Sequence, residues 1–457
     1  MLFLYTEKLF APKNYFRTPN SNQIRHLMTQ KFTKTTLSNG LTLLLKEIHT
    51  APMISSWVWY RVGSRNEVTG KTGISHWVEH MQFKGTPKFP ANVLDKAISR
   101  EGGVWNAFTY LDFTTYYETM PADKIDLALQ LEADRMVNSL FDPEEVASER
   151  TVVISEREGN ENSPMFKLSE VTQATSFRVH PYHHKVIGDM ADLESMTRDD
   201  LYEHYKSYYT PNNAVMAIAG DFKTEEMLAR IEELFGGIPA APAPRPLSRP
   251  EPEASGETRL TVEGTGDTTY VQACYRFPSA TDPDFFPLTV LDSLLAGASN
   301  LNMFGGGISN KTSRLYKTLV ESELTVSMSG GAQATIDPYL YNIVMVIHPE
   351  REPEEALTAL DAEITRIQEE KVSEAEIARA VKQAKALFAY GSESITNQAF
   401  WMGYTEMFAD YEWFENYLDN LATVTPDDVQ RVAKKYFRKR YRVVGTYLPV
   451  NEENTNE

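Results

Sequence analysis

The sequence predicts an α+β protein of two homologous halves, each a mostly antiparallel sheet with helices packed on one face. Three observations lead there. The first is a unit that occurs twice. Residues 197–218 read TRDDLYEHYKSYYTPNNAVMAI and residues 425–446 read TPDDVQRVAKKYFRKRYRVVGT. Each opens on a Thr-x-x-Asp capping box, Thr197/Asp200 and Thr425/Asp428. Apolar or aromatic positions then recur at helical spacing, and an apolar strand follows. The offset is 425 − 197 = 228 residues throughout, which marks a duplication. The second observation is a stretch, residues 237–257, that carries six prolines. No helix or central strand accepts them, so an extended linker divides the chain nearly in half. The third is the grouping of strand-like runs with helices between them.

In chain order, residues 1–31 form an N-terminal extension. The opening apolar run, Met1 to Tyr5, meets Glu7 and Lys8 too soon for a signal-peptide core. A disordered extension, or a true start at Met28, is the expectation; a mitochondrial transit peptide is the alternative. The first half covers 32–236. Within it 41–47, 54–62 and 113–118 read as strands and 124–138 as a helix. The second half covers 258–449, with a helix over 353–370, and 450–457 is a tail. The glycine-rich segment 299–310, SNLNMFGGGISN, lacks the Lys-Ser/Thr of a phosphate loop and reads as a mobile loop beside a cleft.

Composition narrows the function. A chain of 457 residues is too long for one core. The charge balance, 45 − 63 = −18, argues against nucleic acid, which needs a basic face. It favours cationic ligands such as basic peptides, or serves solubility alone. No apolar run approaches the ~20 residues of a membrane helix. The single cysteine, Cys274, leaves no internal disulfide and no thiolate metal site. It fits a reducing compartment, so a cytoplasmic location is expected, with the mitochondrial matrix as the alternative.

The chemistry lies in residues 73–84, GISHWVEHMQFK, read as a helix with Thr72 as N-cap and Gly85 and Pro87 as its stop. His76 and His80 stand four apart on one face and can converge on one ion. Glu79 lies beside that face, where it reaches a metal-bound water without being a ligand. This His-x-x-Glu-His order is the inverzincin motif; two hydrogen-bonded histidines on a partly buried helix are the plainer reading. A catalytic zinc needs a third ligand and an open position. Candidates lie on a second helix, 141–158, FDPEEVASERTVVISERE, with Asp142 as N-cap and Pro143 behind it. There Glu149 and Glu156 stand two turns apart on one face, with Val152 and Val153 expected to look inward.

These segments resemble the pitrilysin family of zinc metallopeptidases, which includes insulin-degrading enzymes and mitochondrial processing peptidase, and the length resembles its short bacterial subunits. LSNGLTLLLKE at 37–47, VGSRNE at 62–67, GISHWVEHMQFKGT at 73–86, GGVWNAFTYLDFTTYY at 102–117, SERTVVISE at 148–156 and HPYHHKVIG at 180–188 carry the likeness. The resemblance implies one Zn2+ per chain on His76, His80 and Glu156, Glu79 as general base, and Glu149 orienting the ligands or balancing charge. It also implies that substrate peptide adds as a strand along Asn106, Ala107 and Phe108. One departure stands out. Where many family enzymes carry an Arg and, further on, a Tyr, the segment 313–330 places Val320 and Val326. Arg314 is a poor substitute, because it points elsewhere on the same helix. The resemblance therefore implies a heterodimer with a homologous subunit that carries the Arg/Tyr pair, a homodimer being the alternative. A presequence-processing peptidase and a non-catalytic scaffold subunit are the competing roles.

Overall fold

The computed structural model describes residues 32–244, 247, 249–298 and 311–450. The expected extension 1–31, residues 451–457 of the tail and the segment 299–310 lie outside the described residues.

Two sheets organise the molecule. The first contains β1 (Phe32–Thr36), β2 (Thr42–Glu47), β3 (Met53–Tyr60), β4 (Val104–Thr109), β5 (Thr114–Pro121) and β6 (Ala214–Gly220), in the order β1-β2-β6-β3-β5-β4. The second contains β7 (Thr258–Gly264), β8 (Tyr270–Phe277), β9 (Thr325–Gly331), β10 (Tyr339–Ile347) and β11 (Arg442–Pro449), in the order β7-β11-β8-β10-β9. All neighbours pair antiparallel except β2 with β6 and β7 with β11. Without β1, the two orders correspond strand for strand, including the place of the parallel pair. Strands β6 and β11 begin 442 − 214 = 228 residues apart, and so do the preceding helices, Arg198–Tyr208 and Pro426–Tyr436. Both capping boxes form. The internal repeat therefore extends through both sheets.

Each sheet packs its own helices on one face. For the first these include Ile74–Met81 and Ile125–Asn138; for the second, Phe285–Leu295, Pro353–Glu369 and Pro426–Tyr436. The opposite face is filled by the other half. Helix Ile395–Phe408 lies across β3 and β6, and helix Pro164–Ser176 lies across β7, β8 and β11. This exchange explains why every residue of β6, Ala-Val-Met-Ala-Ile-Ala-Gly, is buried rather than every second one. Along β3, Val58 and Tyr60 face the first half's own helices, while Trp57 and Trp59 face the exchanged helix. The Trp59 ring meets Phe400 edge-on, with centroids 5.4 Å apart. Among the described residues no helix is long and apolar enough to cross a membrane.

The exchanged helix approaches closely because Gly403 has no side chain: a Cβ there would sit 2.0 Å from Trp59 Nε1. Alanine is the better helix former by about 1 kcal/mol, yet overpacking costs about 1–3 kcal/mol or more. Gly403→Ala is therefore predicted to lower the thermal unfolding midpoint. An unchanged or raised midpoint would remove the close-packing argument.

Candidate metal centre

The helix that carries the motif, Ile74–Met81, buries Ile74, Trp77, Val78 and Met81 against the sheet. Its start differs from the sequence expectation. The N-cap is Gly73, not Thr72, in the left-handed region at φ +84° with no side chain to cap with. A Cβ at Gly73 would lie 2.5 Å from the Ile187 carbonyl oxygen, so the chain passes only as glycine. The cap comes from a distance: the Glu67 carboxylate accepts from the Gly73 and Ser75 N–H groups, each at 2.8 Å. It thereby meets donors that the first turn leaves orphaned, and places negative charge at the positive end of the helix. His184 Nε2 lies 2.8 Å from the same carboxylate. Thr72 is used otherwise, its hydroxyl donating to Asp192 at 2.7 Å and accepting the Asp189 N–H at 2.8 Å.

The second helix, Pro143–Glu161, starts as expected, with the Asp142 side chain accepting from the Glu144 and Glu145 N–H groups. Val153 is buried, but Val152 is 48% exposed and does not look inward. Arg150 joins the two helices. Its guanidinium lies 5.1 Å above the Trp77 ring and donates to the Leu193 and Met196 carbonyls at 3.2 and 2.6 Å.

His76, His80 and Glu156 come together, with one donor atom of each within 4.8 Å of the others. His76 Nε2 and His80 Nε2 lie 3.8 and 3.7 Å from the same oxygen, Glu156 Oε2. These gaps are too long for hydrogen bonds and suit one cation shared by three donors. Burial, then His80, holds the His76 imidazole down at about 3, so it is neutral and able to ligate. Its Nδ1 is buried without a partner among the described residues. Burial works against a charged His80, but the Glu149 carboxylate, 2.8 Å from Nδ1, holds that imidazole above its ordinary value. Glu149 is buried too, which opposes ionisation, and hydrogen bonds from His80 and Lys84 nonetheless keep it below the usual carboxylate range. An ionised Glu149 draws the His80 proton onto Nδ1 and turns Nε2 toward Glu156, the arrangement that orients a metal-ligating histidine. The Glu156 side chain is 43% exposed, which leaves the cluster open on one side. Two imidazoles and a carboxylate with an open side fit a catalytic divalent cation.

Glu79 is buried beside this cluster. Burial pushes its carboxyl up to about 7, against the opposing influence of His80 and of hydrogen bonds from Thr109. The Thr109 hydroxyl donates at 2.7 Å. Thr109 ends β4, an edge of the first sheet. Along β4 the Ala107 N–H bonds to its neighbour Asn106 Oδ1 at 2.9 Å and so points to the open side, away from β5. Asn106 is an exposed mid-strand residue. Phe108 packs against Trp57 and Trp59, on the sheet face opposite Thr109. Sequence reasoning gave Thr109, Lys84, Glu67 and His184 no roles. All four stand in the quoted segments GISHWVEHMQFKGT, GGVWNAFTYLDFTTYY, VGSRNE and HPYHHKVIG, which were the available signal.

In the second half, Val326 is 57% exposed on β9, the counterpart of β4. Arg314 donates to Glu376 at 2.7 Å and to Glu363 at 3.2 Å, so it is engaged inside its own half.

Residues 42–190 match the family model described as Insulinase (Peptidase family M16), and residues 195–384 match Peptidase M16 inactive domain. The chain is similar to zinc protease PqqE of Helicobacter pylori, at 28% identity over 89% of this chain and 90% of that protein. It is also similar to a probable mitochondrial-processing peptidase subunit beta of Arabidopsis thaliana, at 27% identity over 93% of this chain and 80% of that one. Among solved structures, a protease from Helicobacter pylori matches with a TM-score of 0.85 and 28% identity, over 92% of this chain and 100% of that chain. A chain of complex III2 from Candida albicans shares the fold, with a TM-score of 0.74 at 18% identity over 91% of this chain and 95% of that chain.

The titration of Glu79 bears on stability. Its carboxyl is raised from 4.5 to about 7, so the folded, metal-free state favours the protonated acid. That stability is fully present below the unfolded value and is lost as pH rises through the folded one, a penalty of about 3 kcal/mol. Glu79→Gln is predicted to raise the unfolding midpoint of the metal-free chain at pH 8 and to change it little at pH 4. Equal shifts at both pH values would contradict the assignment.

Proposed function

Since this chain belongs to the insulinase family of peptidases, M16, we propose that it is a zinc-dependent endopeptidase acting on extended or unfolded peptides. The observation that carries the reading is the convergence of His76, His80 and Glu156 within 4.8 Å, beside a Glu79 that is not part of that donor set. Zinc bound by those three residues supplies Lewis acidity, which acidifies water and polarises a carbonyl. Glu79 takes the proton of the attacking water and passes it to the leaving amine, work suited to a carboxyl that titrates near neutrality. The Thr109 hydrogen bond holds that carboxyl group in place for the two transfers. Glu149 and Lys84 keep the His80 ring from turning.

Substrate lies along β4 as an added strand. The outward Ala107 N–H, paired with Asn106 Oδ1 in the free chain, changes partner to a substrate carbonyl. Because β4 runs into Thr109, a peptide bound there passes directly over Glu79. The acidic balance of −18 favours basic peptides.

The Val320 and Val326 side chains carry no hydrogen-bond donor, so we assign the Arg/Tyr clamp to a homologous second subunit; a homodimer is the alternative. The likeness to a mitochondrial-processing peptidase subunit favours presequence trimming as the second reading.

The test is cleavage of a quenched fluorescent peptide by the chelated, zinc-restored chain and by its Glu79→Gln variant. Zinc is expected to restore a basal cleavage that the homologous subunit raises, and Glu79→Gln to lower kcat by about 10²–10⁴-fold. A zinc-loaded but inert chain that gains activity only with a homologous subunit makes this chain half of an enzyme. Failure to bind zinc would sink the metallopeptidase reading and leave the scaffold role.

A further inference from the structure

Glu67, which caps the His76 helix, is tied to the second half by two routes. The first follows the chain. Residues 64–66 form a single tight turn, with Glu67 N–H on the Ser64 carbonyl at 3.2 Å. In that turn Arg65 Nε donates to Asp337 Oδ2 at 2.6 Å. The second runs through space. His184, against the Glu67 carboxylate, ends a short segment that begins at His180. His180 Nε2 lies 3.1 Å from the same oxygen, Asp337 Oδ2. Residues 181–183 between them form another tight turn. The linker between the halves grips this segment as well: the Glu251 carboxylate accepts the N–H groups of Arg178, Val179 and His180 at 2.8, 2.9 and 2.9 Å.

Both routes thus start at one oxygen of the second half and end at one carboxylate under the first turn of the helix that carries His76. Short hydrogen-bonded turns transmit displacement because they have little freedom to absorb it. Glu156 stands on a different helix, so a shift of the His76 helix alone changes the spacing of the three donors.

We infer that Asp337 is a positioning residue for the metal centre: it anchors Arg65 and His180 and, through Glu67, sets where the His76 helix begins. The part of the inference that concerns the helix is geometric; its consequence for zinc rests on the proposed function. The second half thereby acts on the site without contributing a donor to it.

A second ion pair between the halves provides the control. Lys34 on β1 meets Glu406 at 2.6 Å, at the edge of the first sheet opposite β4. The measurement is amide hydrogen exchange over residues 73–81 in the metal-free full chain, together with zinc affinity by chelator competition, for Asp337→Ala, Asp337→Asn and Lys34→Ala. Asp337→Ala is expected to speed exchange and to weaken zinc binding by up to about tenfold, the low end of what is seen when a direct partner of a metal ligand is lost. Asp337→Asn keeps an oxygen acceptor and is expected to recover most of both, which also separates the effect from misfolding. Lys34→Ala is expected to match wild type. Wild-type exchange in Asp337→Ala, or an equal effect in Lys34→Ala, would overturn the inference. A wild-type chain that binds no zinc would defeat the metal reading alone, since exchange still decides whether Asp337 holds the helix.

Discussion

The arrangement of the site depends on how the first turn of the His76 helix is satisfied. A helix that begins inside the protein leaves donors that water cannot reach, and each unmet donor costs about 1–3 kcal/mol. Here Gly73 closes off local capping, because a side chain at that point would strike the Ile187 carbonyl. The Glu67 carboxylate supplies the acceptor instead, and its own burial is compensated by two N–H groups and His184. Once that end is held, helical geometry alone presents His76, Glu79 and His80 to the same side. The segments around residues 62–67 and 180–188 find a common purpose in that one capping interaction.

The exchange of helices between the halves has a related consequence. Neither sheet is complete within its own half: the first takes helix Ile395–Phe408 onto β3 and β6, and the second takes helix Pro164–Ser176 onto β7, β8 and β11. Trp57 and Trp59 are buried only because the second half covers them. The halves form one packed body whose second member, without a metal motif of its own, is part of the structure that holds the first.

Within the site, similar residue types are sorted by surroundings. His76 is kept neutral by burial, whereas His80 is held by a carboxylate on Nδ1 that leaves Nε2 facing Glu156. Of the three glutamates, Glu149 is kept ionised by His80 and Lys84, Glu156 stays at the open side, and Glu79 is buried until it titrates near neutrality. Placing one carboxyl near 7 beside Glu149, which is held below the usual carboxylate range, separates a proton carrier from a group that orients.

What the sequence determined by itself is local. The spacing of His76, Glu79 and His80, the capping boxes at Thr197 and Thr425 and the Asp142 cap all follow from hydrogen bonds or periods a few residues long, and the repeat at 228 residues is legible because it copies one such local unit. Resemblance, rather than periodicity, singled out Glu156 from Glu149, because both occupy one helical face and only the packing against the His76 helix decides between them. The expectations that Thr72 caps and Val152 turns inward differ from the structure for the same reason. Local rules rank plausible partners, but Glu67 outcompetes Thr72 for the helix start, and the neighbouring helices decide which valine is covered. The helix exchange, the Thr109 contact on Glu79 and the ties of Asp337 join residues tens to hundreds of positions apart, as in Arg65 with Asp337. Such contacts leave no period in the chain; they arise only when the two halves pack together, because each sheet presents a face that its own half cannot cover.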